Sequence, residues 1–166
     1  MSTTASHRIG LVGAGIASSL SPALHEHEAA ELGVTDYRYD LLDLDARRVS
    51  VEHTAEFVRA AVHEGYTGLN ITHPCKQLVV PALDELSDDA RLLGAVNTVV
   101  VRDGRLIGHN TDHSGFLAAL QRGLPGAALD SVLLVGAGGA GSAVAYALAA
   151  AGVGELRISD VDPARA

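Results

Sequence analysis

Gly136-Ala137-Gly138-Gly139-Ala140-Gly141 constrains what this chain can fold into more than any other segment. It follows the apolar run Val132-Leu133-Leu134-Val135 and precedes an alanine-rich stretch, so it reads as the turn of a strand–turn–helix unit. Three demands meet in such a turn. Gly136 lets the backbone reverse tightly, Gly138 lets a ligand approach the main chain, and Gly141 lets helix and strand pack closely. Strands are expected at Ser131–Val135 and Leu156–Asp160, with a helix from about Gly139 to Ala151 between them. The start of that helix offers N–H groups and the positive dipole end to a pyrophosphate. The context therefore points to a dinucleotide held by Gly136, Ala137, Gly138, Gly139 and Ala140; close helix–strand packing alone is the plainer alternative.

Asp160 bears on which dinucleotide. A carboxylate at that strand end can accept both ribose hydroxyls and would repel a 2′-phosphate, which favours NAD over NADP. Arg165 is close enough in sequence to accommodate such a phosphate and argues the other way. Asp160 also stands in Ser159-Asp160-Val161-Asp162-Pro163, where a loop or capping role is the alternative. A second glycine pattern, Gly13-Ala14-Gly15-Ile16-Ala17-Ser18, lacks the third glycine, and Pro22 falls inside the helix the fingerprint would need. It is read as a loop feeding Ser18-Ser19-Leu20-Ser21.

The rest of the chain alternates strand and helix signals, so the expected class is α/β. Ile9–Gly13, Tyr37–Leu42 and Gly68–Thr72 read as strands, and Pro22–Leu32 as a helix stopped by Gly33. A second helix carries Ala55, Val58, Ala61 and Val62 on one face and leads to Gly65. Pro74 is expected to open a helical turn running in some form toward Leu86. Val96–Val101 and Leu106–His109 flank Arg102-Asp103-Gly104-Arg105, whose Asp-Gly pair predicts a hairpin with a type I′ turn. Asp112 is expected to cap a helix over roughly Ser114–Arg122, and Gly123-Leu124-Pro125-Gly126 is the best linker candidate. No internal repeat is visible.

Composition narrows the function classes. A net charge of -8 with no clustered basic face argues against nucleic acid. The single Cys75 excludes an internal disulfide and a cysteine-based zinc site. With eight histidines but no His-Glu-x-x-His spacing, no metal site is expected, and the histidines are read as mostly surface residues. No leader pattern or membrane-spanning apolar run is present in the sequence, so a soluble cytoplasmic protein without a membrane partner is expected.

Three polar clusters precede the glycine turn: Asn70-Ile71-Thr72-His73-Pro74-Cys75-Lys76, Gly94-Ala95-Val96-Asn97-Thr98 and Gly108-His109-Asn110-Thr111-Asp112. Polar side chains at the carboxyl ends of strands in an open α/β sheet are where ligands bind. Hydride transfer from a secondary alcohol needs an acceptor for the hydroxyl proton. A desolvated lysine, here Lys76, can serve, and a carboxylate such as Asp112 can orient it. The alternative is a solvated lysine and an aspartate that merely caps a helix.

Read together in chain order, Ser19-Leu20-Ser21-Pro22, the three clusters and the Gly136–Gly141 turn resemble the shikimate/quinate dehydrogenase family. The resemblance implies that Ser19 and Ser21 bind a substrate carboxylate, that Lys76 is the catalytic proton acceptor, and that Asp112 pairs with it and holds a ring hydroxyl. It implies Asn97 on the hydroxyls and Thr72 lining the same pocket. Ser159-Asp160-Val161-Asp162 stands where NADP-preferring members carry an Asn-Arg-Thr-type segment, which resembles the NAD-using quinate/shikimate branch of actinobacteria. In that branch the second hydroxyl of the Ser-x-Ser motif is often Thr; here it is Ser21, which bears on quinate against shikimate.

The implied activity is NAD-linked, alternatively NADP-linked, oxidation of a hydroxylated cyclohexane or cyclohexene carboxylate. The expected architecture is an N-terminal α/β substrate domain over residues 1–112 and the start of a Rossmann-type NAD-binding domain over residues 113–166. One βαβ unit follows where a full dinucleotide fold uses two, and the family's returning helix with its glutamine is not seen. The chain is therefore expected to be a piece of a longer enzyme that turns over slowly or not at all alone. A binding module that keeps the fold without turnover is the alternative, and a homodimer is left open.

Overall fold

The computed structural model describes residues 7–164, which divide between His109 and Asn110 into two compact units. The first is built on a mixed sheet. Its elements in chain order are β1 (His7–Gly13), α1 (Ser21–Glu31), β2 (Tyr37–Asp43), α2 (Leu44–Arg47), α3 (Thr54–His63), β3 (Gly68–Ile71), β4 (Glu85–Leu86), α4 (Asp88–Leu93), β5 (Thr98–Arg102) and β6 (Arg105–His109). The strand order is β2-β1-β3-β5-β6-β4. β1 pairs in parallel with β2 and β3, while β5 runs antiparallel to β3 and β6.

Side-chain alternation sorts the two faces of this sheet. Val12, Leu42, Leu69, Ile71, Val99 and Leu106 join Val58 and Ala61 of α3 in the main core. Leu11, Tyr39 and Ile16 form a smaller cluster. Full burial of each aliphatic side chain contributes about 1.5–3 kcal/mol, and β1 is sandwiched because it supplies residues to both clusters.

The hairpin forms as expected, with Asp103 and Gly104 both at positive φ (52° and 75°). The stretch after Pro74 does not form a helix toward Leu86. The His73–Pro74 peptide is cis, turns and a short 3-10 segment at Val80–Ala82 follow, and Leu86 lies in β4 beside β6. β5 begins at Thr98 rather than Val96, because the amides of Val96 and Asn97 bond instead to the carbonyls of Lys76 and His109.

The loop after β1 shows why its glycine pattern is no phosphate cradle. The buried Asp43 carboxylate, at the end of β2, accepts the amides of Gly15 (3.1 Å), Ile16 (2.9 Å) and Asp45 (3.0 Å). Burial pushes this carboxyl up, but the amides of Gly15, Asp45, Ile16 and Ala46 outweigh it and hold it below its ordinary value of 3.8. A carboxyl lowered in the folded state adds stability above its unfolded value and loses it as pH falls through the folded one. Asp43→Asn is therefore expected to lower the melting temperature at pH 7 and to leave a shallower loss of stability below about pH 4. Thermal melts from pH 3 to 7 check this; parallel curves for the two proteins would refute it.

The second unit comprises α5 (Asp112–Gly123), β7 (Ser131–Val135), α6 (Gly139–Ala150) and β8 (Glu155–Ser159). β7 and β8 pair in parallel from Ser131–Glu155 to Val135–Ser159, with α6 as the crossover. Ala143, Ala147 and Leu148 are the buried face of α6, and the rings of His113 and Tyr146 meet at 5.2 Å between α5 and α6. Gly123–Gly126 connects α5 to β7 inside this unit and is not a linker between domains. Among the described residues, no helix is long and apolar enough to cross a membrane.

Candidate active site

Three sequence segments are stitched together at one end of the first unit's sheet. Thr72 donates its amide to Val12 (2.9 Å), and Ala14 donates to the carbonyl of His73 (3.2 Å). The amide of Ile71 reaches the carbonyl of Asn97 (2.8 Å), and that of Val96 reaches Lys76 (2.8 Å). The ends of β1, β3 and β6 and the start of β5 thus share one rim, because β5 is antiparallel to its neighbours. Lys76 is half-buried on the turn after Pro74, and Thr72 and Asn97 are half-buried beside the same stitches.

The side chains form a second, polar connection. Ser19 Oγ donates to Ser21 Oγ (3.1 Å), and the Ser21 amide donates back to Ser19 Oγ (3.2 Å). The Tyr39 hydroxyl donates to Asn70 Oδ1 at 2.8 Å. Asn70 Nδ2 donates to Thr98 Oγ1 (3.5 Å), which donates to Asn97 Oδ1 (2.9 Å). Burial and the neighbouring Tyr37 push the Tyr39 hydroxyl up to about 12 against a smaller lowering by Ser21, so it stays protonated across the physiological range. Asn70, Thr98 and Tyr39 carried no assigned role in the sequence. Asn70 and Thr98 stood inside quoted clusters, whereas Tyr39 is 31 residues from its partner and gave no local signal. His25 is half-buried and stacked on Tyr39 at 4.7 Å, so it is not a surface residue. A cavity of about 490 Å³ on the sheet has Asn70, Thr98 and His25 in its wall, but neither serine and not Lys76.

Asp112 belongs to the second unit, whereas Lys76 belongs to the first. It does not cap α5: Thr111 holds the N-cap position and Asp112 is the first helical residue. Its amide is bound by Oδ1 of the buried Asn110 (3.0 Å), which stood in the same quoted cluster without an assigned role. Among the described residues, no group of three or more His, Cys, Asp or Glu is placed to hold a metal ion.

In the glycine turn, Gly136 sits at φ +97°, which excludes most side chains, and a Cβ on Gly141 would overlap the carbonyl of Gly136. Gly138 has neither constraint: a Cβ there would meet nothing within 4 Å. Asp160 Oδ2 accepts the amide of Ala137 (2.6 Å) and Oδ1 accepts that of Asp162 (2.8 Å). The loop role and the strand-end position thus coexist in one carboxylate. Arg165 lies outside the described residues. The two glycine loops are also built alike: Leu-Val-Gly-Ala-Gly recurs at 11–15 and 134–138, each closed by an aspartate, the last residue of β2 in one case and the residue just past β8 in the other. Gly141→Ala is expected to destabilise the protein by about 1–3 kcal/mol through overpacking. Gly138→Ala is expected to leave stability within about 1 kcal/mol, the helix-start position having no steric conflict. Denaturant unfolding of both variants tests the contrast, which equal losses would contradict.

Residues 11–99 match the family of the shikimate dehydrogenase substrate binding domain, and residues 124–164 match the ThiF family. A shikimate dehydrogenase (NADP(+)) of Pseudarthrobacter chlorophenolicus is 57% identical over 98% of this chain and 55% of its own length. A quinate/shikimate dehydrogenase (NAD(+)) of Corynebacterium efficiens is 52% identical over 95% of this chain and 56% of its own. The solved structure of quinate dehydrogenase from Corynebacterium glutamicum in complex with NAD superposes with a TM-score of 0.86 at 47% identity, covering 97% of this chain and 57% of that one. The chain thus spans about half the length of the curated relatives it matches.

Proposed function

The chain belongs to the shikimate dehydrogenase family, and from that premise we propose that it carries the substrate domain (residues 1–112) and opens the NAD-binding domain (residues 113–166) of a shikimate/quinate dehydrogenase. The reaction is reversible oxidation of the ring 3-hydroxyl of shikimate to 3-dehydroshikimate, and of quinate to 3-dehydroquinate. The observation that carries this reading is the rim on which backbone bonds gather Thr72, Lys76 and Asn97, with a hydrogen-bonded run from Tyr39 through Asn70 and Thr98 to Asn97 beside it.

Ser19 and Ser21 bind the substrate carboxylate through their hydroxyls. Asn97 and Thr72 face the ring hydroxyls, and Lys76 takes the proton of the hydroxyl being oxidised. Asp112 orients Lys76 and accepts from a ring hydroxyl. The nicotinamide dinucleotide, when bound, accepts the hydride. The turn fits that group: Gly136 and Gly141 are demanded by the chain's own geometry, while the open space at Gly138 admits a pyrophosphate. Asp160 stands at the strand end where a carboxylate accepts the ribose hydroxyls of such a group.

That carboxylate, and the NAD complex of the Corynebacterium glutamicum relative, favour NAD. The Pseudarthrobacter relative's named use of NADP favours the second reading. The proposal includes a cytoplasmic location and allows a homodimer, which sedimentation would read. Steady-state assay of the full-length protein with both acids and both cofactors is the test. NAD-linked oxidation of at least one acid is expected, and no oxidation of either would overturn the reading.

A further inference from the structure

We propose that Thr98 is a positioning residue for the ring-hydroxyl subsite, fixing which end of the Asn97 amide faces the substrate. Under the functional reading above, on which this rests, Asn97 meets the ring hydroxyls and Thr98 stands behind it. The Asn97 backbone is held from both sides: its carbonyl accepts the amide of Ile71 (2.8 Å), and its own amide donates to the carbonyl of His109 (3.0 Å). What the backbone leaves undecided is the rotation of the side-chain amide. Thr98 Oγ1 settles it by donating to Asn97 Oδ1 at 2.9 Å. Thr98 lies in the wall of the cavity on the sheet, a wall that includes neither Asn97 nor Lys76, so it acts through its neighbour rather than on the acid.

A carboxamide needs such a device. Its two ends have nearly the same shape but opposite character, the oxygen accepting and the nitrogen donating two protons. A half-turn about the last bond exchanges them. A threonine hydroxyl can donate or accept, so it fixes the choice only if its own proton is directed. Asn70 directs it. The two residues are register partners across β3 and β5, and Asn70 Nδ2 donates to Thr98 Oγ1 (3.5 Å), which leaves the hydroxyl proton for Asn97. Asn70 is oriented in turn by the hydroxyl of the buried Tyr39, which donates to its Oδ1 (2.8 Å). The run thus has one polarity from Tyr39 to Asn97, and it turns the NH₂ end of Asn97 away from Thr98. A ring hydroxyl can then accept a hydrogen bond from Nδ2 and keep its own proton for another acceptor.

The test is Thr98→Val in the full-length protein, beside Thr98→Ala, Thr98→Ser, Asn97→Ala and the double variant of Thr98→Val with Asn97→Ala. Valine keeps the branched shape and loses the hydroxyl; alanine loses the same hydroxyl without setting a methyl between the two amides. With either, KM for the acid is expected to rise about 5–10-fold, with kcat within about threefold and KM for the dinucleotide unchanged. Thr98→Ser keeps the hydroxyl and should hold KM within about twofold of the parent. On the Asn97→Ala background the valine change should add little, since it acts through that amide. An unchanged KM for the acid in the valine and alanine variants, an equal rise in the serine variant, or full additivity with Asn97→Ala would overturn the role of Thr98. An unmodified protein that neither binds nor oxidises either acid would instead overturn the functional reading, and this inference with it.

Discussion

Lys76→Ala is expected to lower turnover on the hydroxy acid by about 10²–10⁴-fold, the range for removing a positioned acid–base group. Affinity for the dinucleotide should stay within about twofold, because under the proposal Lys76 serves the substrate and not the cofactor. The fold should survive the change. It is the Lys76 carbonyl, not the side chain, that receives the amide of Val96, and alanine keeps that bond. A melting temperature near that of the parent and retained acid binding would separate lost chemistry from lost structure. Unchanged turnover would remove Lys76 from its role. Comparison with Asp112→Asn sharpens the result. If the two groups act as a pair, the double variant should be little worse than Lys76→Ala alone.

Asp160→Ala is expected to cut the preference for NAD over NADP by about 10–100-fold, corresponding to about 1.5–3 kcal/mol for hydrogen bonds to a charged group. Two effects add here. The ribose hydroxyls lose their acceptor, and a 2′-phosphate no longer meets a negative charge. The geometry brings in a third, since the same carboxylate tethers the turn through Ala137 at 2.6 Å. Alanine should therefore weaken both dinucleotides while weakening NAD more. Asp160→Asn, which can still accept from Ala137, should shift the ratio with a smaller common loss. Direct titration of each variant with both cofactors reads these effects, and an unaltered ratio would show that the discrimination resides elsewhere.

Local chemistry makes several elements legible in the sequence. The Asp103-Gly104 turn needs two positive φ angles, and the sequence supplies residues that tolerate them. The apolar spacing of α3 and the glycine after it marked a helix and its end. Gly136 and Gly141 were readable because their constraints act within a few residues. Two details were not legible. The turns after Pro74 are held by a distant segment, since Lys76 receives the amide of Val96, and α5 starts two residues earlier than its apolar spacing suggests, with Asn110 taking the amide of Asp112.

By itself, the sequence determined the α/β class, the glycine turn and the family to which the chain belongs, because each is carried by residue type at short spacing. Tertiary structure alone decided which polar side chains touch. Tyr39 reaches Asn70 only because β2 and β3 flank β1 in one sheet, so that alternate residues of separated segments share a face. It also decided the different fates of two near-identical glycine loops. Asp43 engages the amides of Gly15 and Ile16 in the first, whereas Asp160 engages Ala137 in the second. The partner of a backbone amide is set by where the next strand ends, and short-range pattern does not encode that distance.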